Sequence, residues 1–109
     1  MNEIQVLTQE IISFINERDW YKFHKPKDTA LALFIEASEL NEAFLWKNET
    51  EVNIEKIKEE LADVMIYSLD LAHQYNLNIE EIIRAKLKIN ADKYPIDKSK
   101  GIATKYSEL

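Results

Sequence analysis

The segment IKEELADVMIYSLDLA, residues 57–72, decides the fold class of this 109-residue chain. Its apolar side chains recur every three or four positions, as in an α-helix, and they lie on more than one side of that helix. The segment LALFIEASELNEAFLW, residues 31–46, has the same spacing. Because the chain contains one glycine and two prolines, it lacks the turn residues that a β-sandwich or barrel requires. The sequence therefore predicts an all-α fold.

Four helices are expected within one domain that spans residues 1–109. Asn78 and Glu81 match a capping box and mark the start of the fourth helix. Pro95 ends that helix, and residues 96–109 follow as a polar tail. The expected helices have these approximate bounds: Asn2–Arg18, Asp28 or Thr29 to Lys47, Ile54–Tyr75 and Ile79–Lys93. The predicted fold is a four-helix-bundle-like domain.

The third expected helix is apolar on opposite sides. One side carries Ile57, Leu61, Val64, Ser68 and Leu71, and the other carries Ala62, Ile66 and Leu69. A helix that is apolar nearly all round needs neighbours on every side, and one small chain cannot supply them. We therefore expect a homo-oligomer.

Two pairs of carboxylates lie inside these apolar segments. Glu36 and Glu39 form an ExxE pair, and Glu60 and Asp63 form an ExxD pair. Residues three apart lie on the same side of a helix, so antiparallel packing would bring the four carboxylates together. Such a cluster recruits a cation, and an all-oxygen site favours Mg²⁺. We expect a magnesium site here, the alternative being two solvated acidic faces.

An aromatic and basic segment, DWYKFHKP at residues 19–26, separates the first two helices. Its aromatic members are Trp20, Tyr21 and Phe23. Such side chains either close the end of a helical bundle or stack on a nucleobase, and both interpretations stay open. His24 is expected to be exposed, and near a triphosphate it would donate a hydrogen bond. Trp46, about two turns beyond Glu39 on the same side of a helix, would add an aromatic wall.

Several other classes of protein are excluded or disfavoured. The net charge of −6 and the pI of about 4.9 argue against a duplex nucleic-acid partner. No cysteine is present for disulfides or zinc-thiolate sites. The sequence shows neither a secretory signal nor a membrane-spanning run, so a cytoplasmic protein is expected. Asp70 and His73 have the DxxH spacing, but a di-iron bundle needs two ExxH motifs and further glutamates.

Taken in order, these stretches resemble the all-α nucleoside triphosphate pyrophosphohydrolases of the MazG-like family, and most closely its dCTP pyrophosphatase branch. The matching stretches are RDWYKFHKP at 18–26, ALALFIEASELNEAFLWK at 30–47, EELADVMIYSLDLA at 59–72, KLKINADKYP at 86–95 and the tail KGIATKYSEL. The resemblance covers nearly the whole chain. Each carboxylate pair alone has little specificity, whereas the ordered set is highly specific.

The resemblance implies a Mg²⁺-dependent enzyme that cleaves a nucleoside triphosphate, dCTP or a related nucleotide, into the monophosphate and pyrophosphate. It implies a homodimer or homotetramer with sites built across a subunit interface. The implied magnesium ligands are Glu36, Glu39, Glu60 and Asp63. The implied base and sugar pocket consists of Trp20, Tyr21, Lys22, Phe23, His24 and Trp46, with Tyr67, Lys86 and Asn90 near the sugar or phosphates. Glu39 is our candidate for the general base that takes a proton from water.

Two other classes of function stay open. The chain would be a helical interaction or regulatory module if its acidic stripe were only a solvated groove. It would be a nucleotide-binding relative without turnover if the carboxylates held the metal but did not activate water.

Overall fold

Helices make up all the regular secondary structure of the protein. The computed structural model describes all 109 residues and contains no β-strand. The α-helices are α1 (Glu3–Glu17), α2 (Pro26–Glu42), α3 (Ile54–Gln74), α4 (Ile79–Lys93) and α5 (Ile96–Ser99). Short 3₁₀ segments cover Tyr21–Phe23 and Tyr106–Glu108. The prediction of an all-α chain is confirmed.

The chain folds as two compact units. Residues Met1–Leu77 form the first unit, in which α3 packs against both α1 and α2. Residues Asn78–Leu109 form the second unit, which contains α4 and α5. In the second unit, the rings of Tyr94 and Tyr106 meet edge to face at 6.0 Å. The segment expected as a polar tail therefore carries a short helix and an aromatic contact with the end of α4.

A Schellman motif ends α1 and turns the chain into the aromatic segment. The amide of Trp20 donates to the carbonyl of Ile15, and that of Asp19 donates to the carbonyl of Asn16. Asp19 has φ 53°, the left-handed conformation that this motif requires. The Trp20 ring lies edge to face with Phe14 at 5.9 Å, the apolar contact that often accompanies the motif. The end of α1 thereby fixes where the aromatic segment begins.

Helix α2 begins at Pro26, earlier than expected. Lys25 is the N-cap and Pro26 the first helical residue, so the predicted cap at Asp28 or Thr29 is wrong. Proline suits this position because its missing N–H would have no partner inside the helix. The hydroxyl of Thr29 is instead buried and accepts a hydrogen bond from Gln74 Nε2 at 2.8 Å. That bond joins the start of α2 to the end of α3.

Helix α2 also ends earlier than expected, at Glu42 instead of Lys47. The amides of residues 44, 45 and 47 bond the carbonyl three residues earlier, as in successive tight turns. Trp46 has φ 62°, a left-handed conformation outside the helix. The predicted placement of Trp46 on a helix face two turns beyond Glu39 is therefore wrong.

Helices α3 and α4 match their predicted bounds to within one residue. Asn53 caps α3 by accepting from the amides of residues 55 and 56. Asn76, with φ 55°, ends α3 in a second Schellman motif. Asn78 caps α4 by accepting from the Glu81 amide at 3.1 Å. Of these two caps, the one at Asn78 was predicted from the sequence, because asparagine favours this position.

Much of the apolar surface stays uncovered in the single chain. The buried apolar residues are Ile15, Ala43, Leu69 and Ala72. On α2, by contrast, Phe34 is 69% exposed and Leu31 is 58% exposed. Met65 on α3 is 51% exposed. No helix combines the length and apolar character that crossing a membrane requires.

Candidate active site

Three carboxylates from two helices converge in the first unit. Glu36 of α2 and Glu60 and Asp63 of α3 each place a carboxylate oxygen within 4.8 Å of the others. Packing of α2 against α3 creates this cluster, as the spacing of the two pairs predicts. Glu39 lies outside the three-residue set, yet its carboxylate interacts with those of Glu36 and Glu60. We call these four residues the acidic cluster.

The carboxyl groups of the acidic cluster differ in their affinity for protons. Burial raises the pKa of Glu36 to about 7, and a hydrogen bond with Glu39 and the charges of Glu39 and Asp63 contribute. A hydrogen bond from Lys56 lowers the pKa of Glu60 below its ordinary value. The Lys56 Nζ to Glu60 Oε1 distance is 2.7 Å. At neutral pH the cluster therefore holds one ionised carboxylate with its own counter-ion and another that is partly protonated.

Two buried oxygen atoms of the cluster test whether its residues fit a cation. Oε2 of Glu36 and Oε2 of Glu60 are buried and have no hydrogen-bond partner. Such an atom costs free energy unless a donor or a cation satisfies it. Carboxylate oxygens within a few ångströms of one another suit a hard divalent cation. The donor set and its unsatisfied oxygens therefore fit a divalent metal ion.

Lys56 is a residue of this site that sequence reasoning missed. It lies one turn before Glu60 on α3, and a spacing of four residues between opposite charges was the available signal. Lys56 also lines an open cavity of about 480 Å³ beside the acidic cluster, together with Glu39, Glu42, Ala43 and Lys47. Two ammonium groups thus border the carboxylates on this side.

A second cavity, of about 370 Å³, lies between α1 and α3. Its lining includes three residues predicted to bind a nucleoside, namely Trp20, His24 and Tyr67. It also includes residues that the sequence analysis did not assign: Glu10, Ile11, Phe14, Ile15, Ile66 and Asp70. Asp63 belongs to both the acidic cluster and this lining. We call this second cavity the aromatic cavity.

His24 occupies a more buried place than expected. Its side chain is 20% exposed, and its Nδ1 lies 3.4 Å from Oδ2 of Asp70. The other oxygen of Asp70 accepts from the Tyr21 hydroxyl at 3.1 Å. Burial raises the pKa of Tyr21, and the negative charge of Asp70 adds to the effect, so the phenol stays a donor. The expectation of an exposed histidine is wrong because α3 supplies a buried acid that its place in the sequence did not reveal.

Other predicted binding residues of the first unit lie at its surface. Phe23 is 65% exposed, and Lys22 pairs with Asp19 at 2.9 Å on the surface. Trp46 is 92% exposed. Lys86 and Asn90 belong to α4, in the second unit. The first unit therefore gathers the acidic cluster, Trp20, His24 and Tyr67, and leaves Phe23 and Trp46 at its surface.

Known proteins are similar to this chain in sequence. The model of the MazG-like family matches residues 31–109. Mouse dCTP pyrophosphatase 1 is 38% identical over 104 residues, and the human protein of the same name is 36% identical over 104 residues. Each alignment covers 88% of this chain and 61% of the mammalian protein, so the chain spans less than two thirds of those relatives.

A solved structure has a similar fold. The crystal structure of a pyrophosphatase from Archaeoglobus fulgidus superposes with a TM-score of 0.82 at 34% identity. The superposition covers 87% of this chain and 94% of the archaeal chain. On the family match, the sequence relatives and this shared fold, the chain belongs to the MazG-like family.

Proposed function

We propose that the protein is a Mg²⁺-dependent nucleoside triphosphate pyrophosphohydrolase. The proposed substrate is dCTP or a related deoxynucleotide, and the products are the nucleoside monophosphate and pyrophosphate. The observation that carries the proposal is the acidic cluster, in which Glu36 and Glu60 each retain a buried, unsatisfied oxygen. The choice of nucleotide and of the bond that is cleaved is supported by the name of the relatives, dCTP pyrophosphatase.

The residues of the acidic cluster divide into two roles. Glu36, Glu60 and Asp63 would hold Mg²⁺, since their oxygens lie within 4.8 Å of one another. When bound, Mg²⁺ offsets the charge of the phosphates and lowers the pKa of a nearby water. Glu39, the fourth implied ligand, lies beside this set, and it is also our candidate for the carboxylate that takes the water's proton.

Recognition of the nucleoside falls to the aromatic cavity in this proposal. Trp20 and Tyr67 supply flat surfaces for a base, and Asp63 connects the cavity to the acidic cluster. A metal ion and lysines bind any triphosphate alike, so discrimination between bases requires contacts of this kind. Tyr21, Lys22, Phe23 and Trp46 on the first unit, and Lys86 and Asn90 on α4, remain proposed contacts of the sugar, base or phosphates.

We further propose that the protein works as a homodimer or homotetramer. Phe34, Leu31 and Met65 are each more than half exposed in the single chain, and Trp46 is 92% exposed. Leu31 and Phe34 lie about one turn apart on α2, and exposed apolar surface of this kind marks an association site. Light scattering at micromolar concentration will give a multiple of the monomer mass. A monomer mass under those conditions would refute the assembly.

The activity is tested by pairing a turnover assay with a binding assay. Wild-type protein with Mg²⁺ and a panel of dNTPs and NTPs will release pyrophosphate, fastest from dCTP, and EDTA will abolish the release. Nucleotide binding without pyrophosphate release would show a binding module instead of an enzyme. Absence of both binding and release would leave the acidic cluster as a solvated groove.

A further inference from the structure

A second buried carboxylate lies on α3, outside the acidic cluster. Asp70 is 1% exposed and lies among apolar neighbours in the sequence of α3. Burying an ionised carboxylate is costly unless hydrogen bonds compensate it. Both oxygens of Asp70 have a partner, the Tyr21 hydroxyl at 3.1 Å and His24 Nδ1 at 3.4 Å. Asp70 neither belongs to the acidic cluster nor takes part in the proposed metal binding.

The imidazole of His24 is held by more than this contact. Its ring is nearly parallel to that of Trp20, at 24° and 6.3 Å, and to that of Tyr67, at 30° and 6.4 Å. Two aromatic faces and one carboxylate therefore limit both the position and the rotation of the ring.

The contact with Asp70 also determines which ring nitrogen carries the proton. An ionised carboxylate only accepts hydrogen bonds, so Nδ1 of His24 must donate. In a neutral imidazole Nε2 is then the acceptor. Nε2 has no hydrogen-bond partner in the protein, and the His24 ring lines the aromatic cavity. The side chain is thus arranged to accept a hydrogen bond from a ligand.

We infer that Asp70 is a positioning residue, which together with Tyr21 holds His24 as the Nδ1–H tautomer and presents Nε2 as an acceptor to a ligand in the aromatic cavity. The ligand group that binds Nε2 would be an N–H or O–H donor. The inference rests on the proposed function, because the ligand is the nucleoside. On a cytosine nucleotide the donors are the 4-amino group and the sugar hydroxyl. Uracil presents a carbonyl oxygen in place of that amino group.

The tautomer of His24 tests the positioning role without any turnover. The chain has two histidines, so His73→Gln assigns the imidazole ¹⁵N resonances in an NMR spectrum of the whole protein. In the wild type, and in Tyr21→Phe, His24 will be protonated at Nδ1. The double variant Tyr21→Phe/Asp70→Leu removes the carboxylate acceptor, and it also removes the phenol hydroxyl that would otherwise be buried without a partner. In this variant the tautomer of His24 will shift towards the Nε2–H form. A wild-type His24 protonated at Nε2 alone, or a tautomer unchanged in the double variant, would overturn the inference.

Kinetics then test what the acceptor binds. Relative to Tyr21→Phe, the double variant will raise KM for dCTP about tenfold and change kcat by less than about threefold. If the donor is the 4-amino group, the preference for dCTP over dUTP will fall by the same factor. If it is the sugar hydroxyl, the preference for dCTP over 2′,3′-dideoxy-CTP will fall instead.

Loss of kcat at constant KM, or loss of neither preference, would contradict the proposed ligand contact. A wild type that turned over no nucleotide would refute the enzyme proposal and leave the NMR result to decide the role of Asp70.

Discussion

Glu36→Gln and Asp63→Asn will each lower kcat by at least about a hundredfold, the size of effect seen when one group that stabilises transition-state charge is removed. Each substitution keeps the shape of the side chain and replaces a charged oxygen with an amide nitrogen. The two residues come from different helices, α2 and α3, yet their oxygens lie within 4.8 Å. Steady-state kinetics with dCTP and saturating Mg²⁺ will measure the loss.

Glu59→Gln is the matched control for these variants. Glu59 immediately precedes Glu60 on α3, but its side chain is exposed and lies outside the acidic cluster. Glu59→Gln removes one negative charge from α3, as Asp63→Asn does. Because Glu59 lies outside the cluster, kcat will stay within about threefold of the wild-type value. Equal losses in Glu59→Gln and Asp63→Asn would show a general effect of charge and not a metal site.

Glu36→Gln will also raise the melting temperature of the metal-free protein at pH 8, by about 5 °C or more. The pKa of Glu36 is about 7 in the folded protein against 4.5 for the ordinary side chain. A raised pKa in the folded state stabilises the protein below the ordinary pKa, and that stabilisation is lost as pH rises through the folded value. The gap between variant and wild type will therefore be small near pH 4.5 and reach its full size above pH 7.

Binding of Mg²⁺ favours the ionised form of the Glu36 carboxyl group, whereas burial favours its protonated form. A metal ion needs the ionised form, so Mg²⁺ will raise the wild-type melting temperature more at pH 8 than at pH 6, and Glu36→Gln will show little response. Differential scanning calorimetry at both pH values, with and without Mg²⁺, gives all the required comparisons. A melting temperature gap that does not grow with pH would contradict the assigned proton affinity of Glu36. An equal Mg²⁺ response in wild type and variant would place the metal elsewhere.

Local signals allowed most of the fold to be predicted. The helical spacing of apolar residues located α1, α3 and α4 to within about one residue at each end, and the cap at Asn78 marked where α4 starts. The bounds of α2 were wrong at both ends. Pro26 was interpreted as the end of the preceding segment, whereas it is the first residue of the helix. The apolar run through Trp46 continues past the last helical hydrogen bonds, so periodicity alone could not find the end.

The candidate site was predictable to the extent that it depends on spacing within one helix. The three-residue spacing of Glu60 and Asp63 places them on the same side of α3, and packing against α2 brings Glu36 to them. The partners of Asp70 were not predictable in this way. Tyr21 and His24 lie 49 and 46 residues away in the chain, and only the packed structure joins them. A charge inside the apolar run of α3 was nevertheless a sign that something compensates it.

The most direct test of the central claim is ³¹P NMR of dCTP incubated with the wild-type protein and Mg²⁺. We expect the triphosphate signals to disappear while dCMP and pyrophosphate form in equal molar amounts, so that the pyrophosphate signal has twice the area of the dCMP signal. We also expect EDTA to stop the change and Asp63→Asn to slow it by at least about a hundredfold. Formation of dCDP and orthophosphate, or turnover that persists at the same rate in EDTA, would contradict the central claim.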